Sequence, residues 1–169
     1  MLVIFVTSFA FLLCIKLLFA DSRRNFYYNS RSMEPTIPYG AKVLWESLKQ
    51  ESIRRGDLVV YLPKGNSFLT SREAYVSRVI AIPGDKVAVG ENVVIINDIL
   101  YKGGDLSKVK HYPDPGYVVS GELVISGEFK KMGDDEYFVI SDNWSNAVDS
   151  RVFGGLNAHR IIGKVVSIN

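Results

Sequence analysis

Cysteine is nearly absent from this chain: Cys14 is the only one in 169 residues, and it lies in an apolar N-terminal run. The rest of the chain can form neither an internal disulfide nor a thiolate zinc site. An oxidising compartment is neither required nor excluded. An excess of charge of one sign is also missing, because 20 basic side chains face 18 acidic ones. That balance supplies no basic face or stripe of the kind nucleic-acid binding needs. Histidine is limited to His111 and His159, and there is no internal repeat or low-complexity tract. The length suits one domain with a real core and hardly two.

A long apolar run is present once. Leu2 to Ala20 reads LVIFVTSFAFLLCIKLLFA, apolar apart from Thr7, Ser8 and Lys16. As a helix it would reach about 28 Å, close to the ~30 Å hydrocarbon layer of a bilayer. A cleaved signal peptide would have a basic start and a shorter apolar stretch, so residues 1–21 read as an uncleaved transmembrane anchor in contact with membrane lipid. Lys16 sits near one end of the run, where its stem can carry the ammonium to the interface. Arg23 and Arg24 follow the run with nothing basic but the amino terminus before it. Taken alone, that bias would put the following domain in the cytoplasm.

Residues 22–169 read as mostly β, with antiparallel sheets. Phe26-Tyr27-Tyr28 suits an extended segment, either at the membrane interface or lining a cleft. Asp57–Leu62 and Ala74–Ile82 look like strands, the second stopping at the turn Pro83-Gly84-Asp85. Val87–Ile96 followed by Asn97-Asp98 suits a hairpin, and Tyr117–Ile125, Tyr137–Ile140 and Ile161–Ile168 give further short β-rich runs. Lys42–Glu51 fits either a helix or a strand. Residues 97–118 include a polar excursion, a loop or hairpin. Short strands with Gly-rich turns at this spacing favour an all-β domain.

Four segments carry chemistry, and their order matters more than any one of them: Ser30-Arg31-Ser32-Met33-Glu34-Pro35-Thr36; Arg55-Gly56-Asp57-Leu58-Val59-Val60-Tyr61; Ser77-Arg78-Val79-Ile80-Ala81-Ile82-Pro83-Gly84-Asp85; and Asp142-Asn143-Trp144-Ser145-Asn146-Ala147-Val148-Asp149-Ser150-Arg151. From about Asn29 to the C-terminus the chain resembles the type I signal peptidases, including the mitochondrial inner-membrane and conjugal-transfer members. The resemblance implies a membrane-bound Ser/Lys endopeptidase with a β catalytic domain on the extracytoplasmic (periplasmic or intermembrane-space) side, against the direction favoured by Arg23 and Arg24. Its partners would be exported precursor proteins with signal or leader peptides, bound by β-addition, and no metal or cofactor is needed. Ser32 matches the nucleophile. Ser30 matches a hydroxyl that joins the Ser32 amide in binding the oxyanion. Asp149 and Arg151 match an acid and a base that brace the site. Asn143-Trp144-Ser145 satisfies a glycosylation pattern, but inside the matched segment it reads as structural.

Two positions depart from the family. Its general-base lysine immediately precedes the arginine of the third segment, and here that residue is Ser77; endoplasmic-reticulum members have histidine there. A serine hydroxyl is far too weak a base to replace either. The serine that would support the lysine amine is Ala147. Candidate substitutes are His111, His159, Lys64, Lys86 and Asp149, the last weakened by pairing with Arg151. The functional expectation is a signal peptidase I-type serine endopeptidase. The competing expectation is a catalytically inactive homologue that binds peptide or pilin-like segments as an assembly factor.

Overall fold

The structure is a computed structural model that describes residues 23–47, 53–63, 73–90, 93–102 and 129–169. The expected anchor, the Tyr117–Ile125 run, most of the 97–118 excursion, Lys64 and His111 lie outside those residues. Among the described residues, no helix is long and apolar enough to cross a membrane.

The strands are β1 (Arg23–Tyr27), β2 (Lys42–Glu46), β3 (Leu58–Tyr61), β4 (Tyr75–Ala81), β5 (Lys86–Val89), β6 (Val93–Ile96), β7 (Ile99–Lys102), β8 (Lys130–Lys131), β9 (Glu136–Ile140), β10 (Leu156–Asn157) and β11 (Ile161–Ile168). They form a seven-stranded sheet in the order β1-β2-β11-β3-β4-β9-β10 and a four-stranded sheet in the order β7-β6-β5-β8. Every assigned pairing is antiparallel, as the strand spacing predicts. One short helix, α1 (Ser150–Phe153), lies in the fourth segment. The ambiguous Lys42–Glu51 segment starts as a strand because Val43 and Trp45 are buried at alternate positions, the period of a sheet and not of a helix. Asn97 and Asp98 both take positive φ in the β6–β7 turn, which is the conformation a two-residue hairpin needs.

Three buried clusters hold the sheets together. Val59, Val79, Val139 and Ile161 pack in one. Ile80, Val87, Val94, Ile96 and Phe138 form a second, which joins the small sheet to the large one. The third packs Val43, Trp45, Val60 and Val76 of the large sheet against Tyr28, Met33 and Ile37. Met33 and Ile37 are fully buried. The loop that carries Ser32 is therefore clamped to the sheet by apolar side chains immediately after the serine and four residues further on. Close approach fixes β11 against β2: a Cβ on Gly163 would lie 2.1 Å from Trp45 Cε3 and 2.5 Å from the Glu46 carbonyl oxygen.

Candidate active site

The four segments meet at one buried ion pair. Arg78 donates to Asp142 through Nε at 2.9 Å and Nη2 at 2.6 Å. The same guanidinium reaches the Gly56 carbonyl at 2.9 Å and Thr36 Oγ1 at 3.3 Å, and Thr36 donates to Asp142. Segment three thus carries Arg78, and segments one, two and four each place a group on it. A planar guanidinium with several fixed donors suits such a junction, and a lysine would not. The backbone completes the link: Asn143 N–H donates to the Ser32 carbonyl at 2.9 Å, and Asn143 Nδ2 donates to the Arg31 carbonyl at 3.0 Å. The Asn143 amide nitrogen is therefore engaged within the fold, in keeping with a structural reading of its sequence pattern. Arg55 pairs with Asp85, joining segments two and three a second time.

Ser30 and Ser32 come together. Ser32 N–H donates to Ser30 Oγ at 3.2 Å, and Ser30 Oγ donates back to Ser32 Oγ at 3.2 Å. The other partner of Ser32 Oγ is one the sequence reading did not single out: Tyr28 Oη, 2.7 Å away. No lysine or histidine nitrogen among the described residues bonds to Ser32. Tyr28 is 6% exposed, whereas Tyr27 is 67% exposed. Successive residues of an extended segment point to opposite sides, so Phe26-Tyr27-Tyr28 splits its aromatics between solvent and site. That alternation, ending four residues before Ser32, was the available signal. Burial pushes the Tyr28 phenol above its ordinary value; the Ser32 and Ser30 hydroxyls pull it down, and the Asp142 carboxylate adds a smaller upward push.

Ser77 is not joined to Ser32. It is 1% exposed, and its hydroxyl bonds to Tyr61 Oη at 3.2 Å and Ser141 Oγ at 3.3 Å. Around the Ser77 hydroxyl the interior therefore holds one phenol and one further serine hydroxyl. Burial drives the Tyr61 phenol far above its normal range; its Ser77 bond opposes this, while the nearby charges of Asp149, Tyr28 and Tyr75 add to it. Ala147, extended and half-buried after the 3-10 turn Trp144–Asn146, brings only a methyl group.

Asp149 and Arg151 are together as the motif implies. Asp149 is fully buried and caps α1. It accepts from Arg151 Nε and Nη2, both at 2.8 Å, from the Arg151 amide at 3.1 Å and from the Ser141 amide at 3.0 Å. The Arg151 guanidinium also lies 4.7 Å from the Trp144 ring centroid. With four donors on its two oxygens, Asp149 is a fixed strut that sets the Ser141 backbone. It is not a mobile base for Ser32. His159 is exposed in the 3-10 turn Ala158–Arg160, and Lys86 is exposed at the start of β5; neither meets the serine.

A cleft of about 670 Å³ runs beside this group, with β1 and Tyr28 on one wall and Ala74, Tyr75 and Val76 on the other; Ser30 and Ser32 lie on its lining. Its volume falls in the range of ordinary ligand sites. The nucleophile candidate, an adjacent hydroxyl and amide, and an elongated groove between two strands are the parts that peptide acyl transfer uses.

Comparison with known proteins agrees. The family model for signal peptidase, peptidase S26, matches residues 1–169. The chain therefore belongs to the signal peptidase family, and its class is that of a serine endopeptidase. It is 28% identical over 165 residues to a probable signal peptidase I-2 of Synechocystis, covering 94% of this chain and 67% of that relative. It is 30% identical over 154 residues to a signal peptidase I of Bacillus caldolyticus, covering 83% and 76%. A solved signal peptidase I from Enterococcus faecalis aligns over 72% of this chain and all of that one, with a TM-score of 0.45 and 20% identity.

Proposed function

We propose that this chain cleaves signal or leader segments from exported precursor proteins, with Ser32 as the nucleophile. The observation that carries this reading is the position of Ser32 on the cleft lining, beside Ser30 and between the strands β1 and β4. An extended peptide laid along that cleft brings a carbonyl over Ser32 Oγ. The Ser30 hydroxyl and the Ser32 amide then turn to its oxygen, where negative charge develops during attack. Asp149 and Arg151 hold the Ser141 backbone, and on this reading Ser77 and Ala147 fill the positions where the family has its lysine and that lysine's support. The relatives' names, signal peptidase I, favour signal segments as substrates. The apolar run Leu2–Ala20 supports anchoring by residues 1–21 in a single pass, with the domain from residue 22 onward on the side to which precursors are exported.

The test is cleavage of a signal-bearing precursor by the full chain in detergent micelles, with the new N-terminus mapped by mass spectrometry. One cut at the signal boundary, reduced by about 10³-fold or more in Ser32→Ala, is expected. A precursor that stays bound but uncut at every pH would favour a peptide-binding role instead.

A further inference from the structure

Among the described residues, the proposed nucleophile Ser32 has no nitrogen base bonded to it. We propose that Tyr28 Oη is the proton acceptor for Ser32, so that a phenolate does the work for which the family uses a lysine; this rests on the peptidase reading just given. The geometry comes first. Tyr28 Oη and Ser32 Oγ are 2.7 Å apart, within the range for a short hydroxyl–hydroxyl bond and for direct proton transfer. Ser30 already donates to Ser32 Oγ, which leaves the Ser32 proton free to point at the phenol. Among the described residues, the other candidates are occupied or remote: Asp149 by its four donors, Ser77 by Tyr61 and Ser141, and Lys86 and His159 by their positions on the surface.

The proton and electron count closes. Phenolate takes the Ser32 proton as the Oγ electron pair adds to the scissile carbonyl carbon. The carbonyl π pair moves to oxygen, where the Ser32 amide and the Ser30 hydroxyl receive it. The phenol then gives its proton to the departing nitrogen as the C–N bond breaks and its pair goes to nitrogen. In the second half, phenolate takes a proton from water while the water oxygen adds to the acyl ester. That proton returns to Ser32 Oγ as the ester bond opens.

The surroundings set the pH at which this runs. Tyr28 packs beside Phe26 and faces Ser30 and Ser32 on its own loop, Asp142 from the fourth segment and Tyr61 from β3; Arg24, Glu73 and Tyr75 line the same cleft. Asp142 is neutralised by Arg78. Burial keeps the Tyr28 phenol protonated beyond the ordinary phenol value of 10.0. Phenolate is therefore scarce at neutral pH but strongly basic once formed, and the rate should climb with pH instead of levelling near neutrality.

Two measurements on the full chain in detergent test this. The first is kcat and KM for precursor cleavage against pH. The second is the rate at which a fluorophosphonate labels Ser32, which reads the nucleophile without needing peptide recognition. The parent is expected to gain about tenfold per pH unit from neutrality toward pH 10 in both. Tyr28→Phe should lose about 10²-fold or more in kcat and in labelling, with KM little changed and an unaltered melting temperature. Replacing Tyr28 with 3,5-difluorotyrosine, a more acidic phenol of nearly the same shape, should move both profiles to lower pH, which a purely structural role would not do. Cleavage that depends on Ser32 but is indifferent to Tyr28→Phe overturns the proposal and leaves the peptidase reading standing. Labelling that depends on Tyr28 without cleavage of any precursor upholds the proposal and overturns the substrate assignment. Failure of the parent to label at any pH overturns both.

Discussion

Ser77, at the position proposed for the family's base, does not meet Ser32: its hydroxyl bonds to Tyr61 and Ser141 inside the fold. A lysine placed there would enter a site that is 1% exposed. Burial disfavours the ammonium and lowers its pKa toward the neutral amine that catalysis requires. Ala147→Ser would add the missing hydroxyl acceptor. The double variant Ser77→Lys with Ala147→Ser is expected to cleave precursor about 10²-fold faster than the parent at neutral pH. Its pH profile should level off near neutrality, unlike the rising profile of the parent. A profile identical to that of the parent would show that the introduced amine does not reach Ser32. At this scale the sequence was informative where a residue type belongs to an ordered motif. Ser30, Ser32, Asp149 and Arg151 are paired as their positions imply. Tyr61 and Ser141 were not legible, because they matter through contacts across strands; for Tyr28 the alternation of Phe26-Tyr27-Tyr28 was a signal of direction but not of the bond to Ser32.

Strand placement was more readable. β3, β4 and β11 fall within the runs expected from alternation and turn residues, β9 starts one residue before its run, and the Pro83-Gly84 turn ends β4 where it should. Val87–Ile96 proves to be two strands, β5 and β6, which pair with each other. The short β8 and β10 and the four-residue α1 escaped notice, because two to four residues are too few to display a period. α1 depends on the Asp149 cap more than on any helical pattern. The element most sensitive to a small change is β11, where Gly163 lets the backbone pass the Trp45 ring. Gly163→Ala should cost about 1–3 kcal/mol, as overpacking commonly does. Urea unfolding of the full chain would read this as a lower midpoint at constant slope. Trp45 also lines the cleft, so KM for precursor should rise in the same variant. A midpoint matching the parent would mean that the ring moves aside freely.

For the molecule as a whole, buried phenols set an alkaline limit. Tyr28, Tyr61 and Tyr137 all have their acidities weakened by burial relative to 10.0. Below pH 10 both folded and unfolded chains keep these protons, and pH does not act through them. Above it, the unfolded chain releases protons that the folded chain retains, so stability falls as pH rises. The melting temperature should therefore drop progressively above pH 10, and Tyr61→Phe should flatten that drop; a parent whose melting temperature is level to pH 11 would contradict this. The closed ring of bonds between Ser30 and Ser32 has a different consequence. The Ser32 amide is taken up by Ser30 Oγ and the Ser30 hydroxyl by Ser32 Oγ, so on the proposed oxyanion role an arriving carbonyl would have to displace bonds that already exist. Only a chain that gains enough along the rest of the cleft can open the ring, and passing segments with a poor fit leave it shut. On that proposal the resting site would hold itself closed at its centre, and discrimination would begin before any bond to the substrate is made.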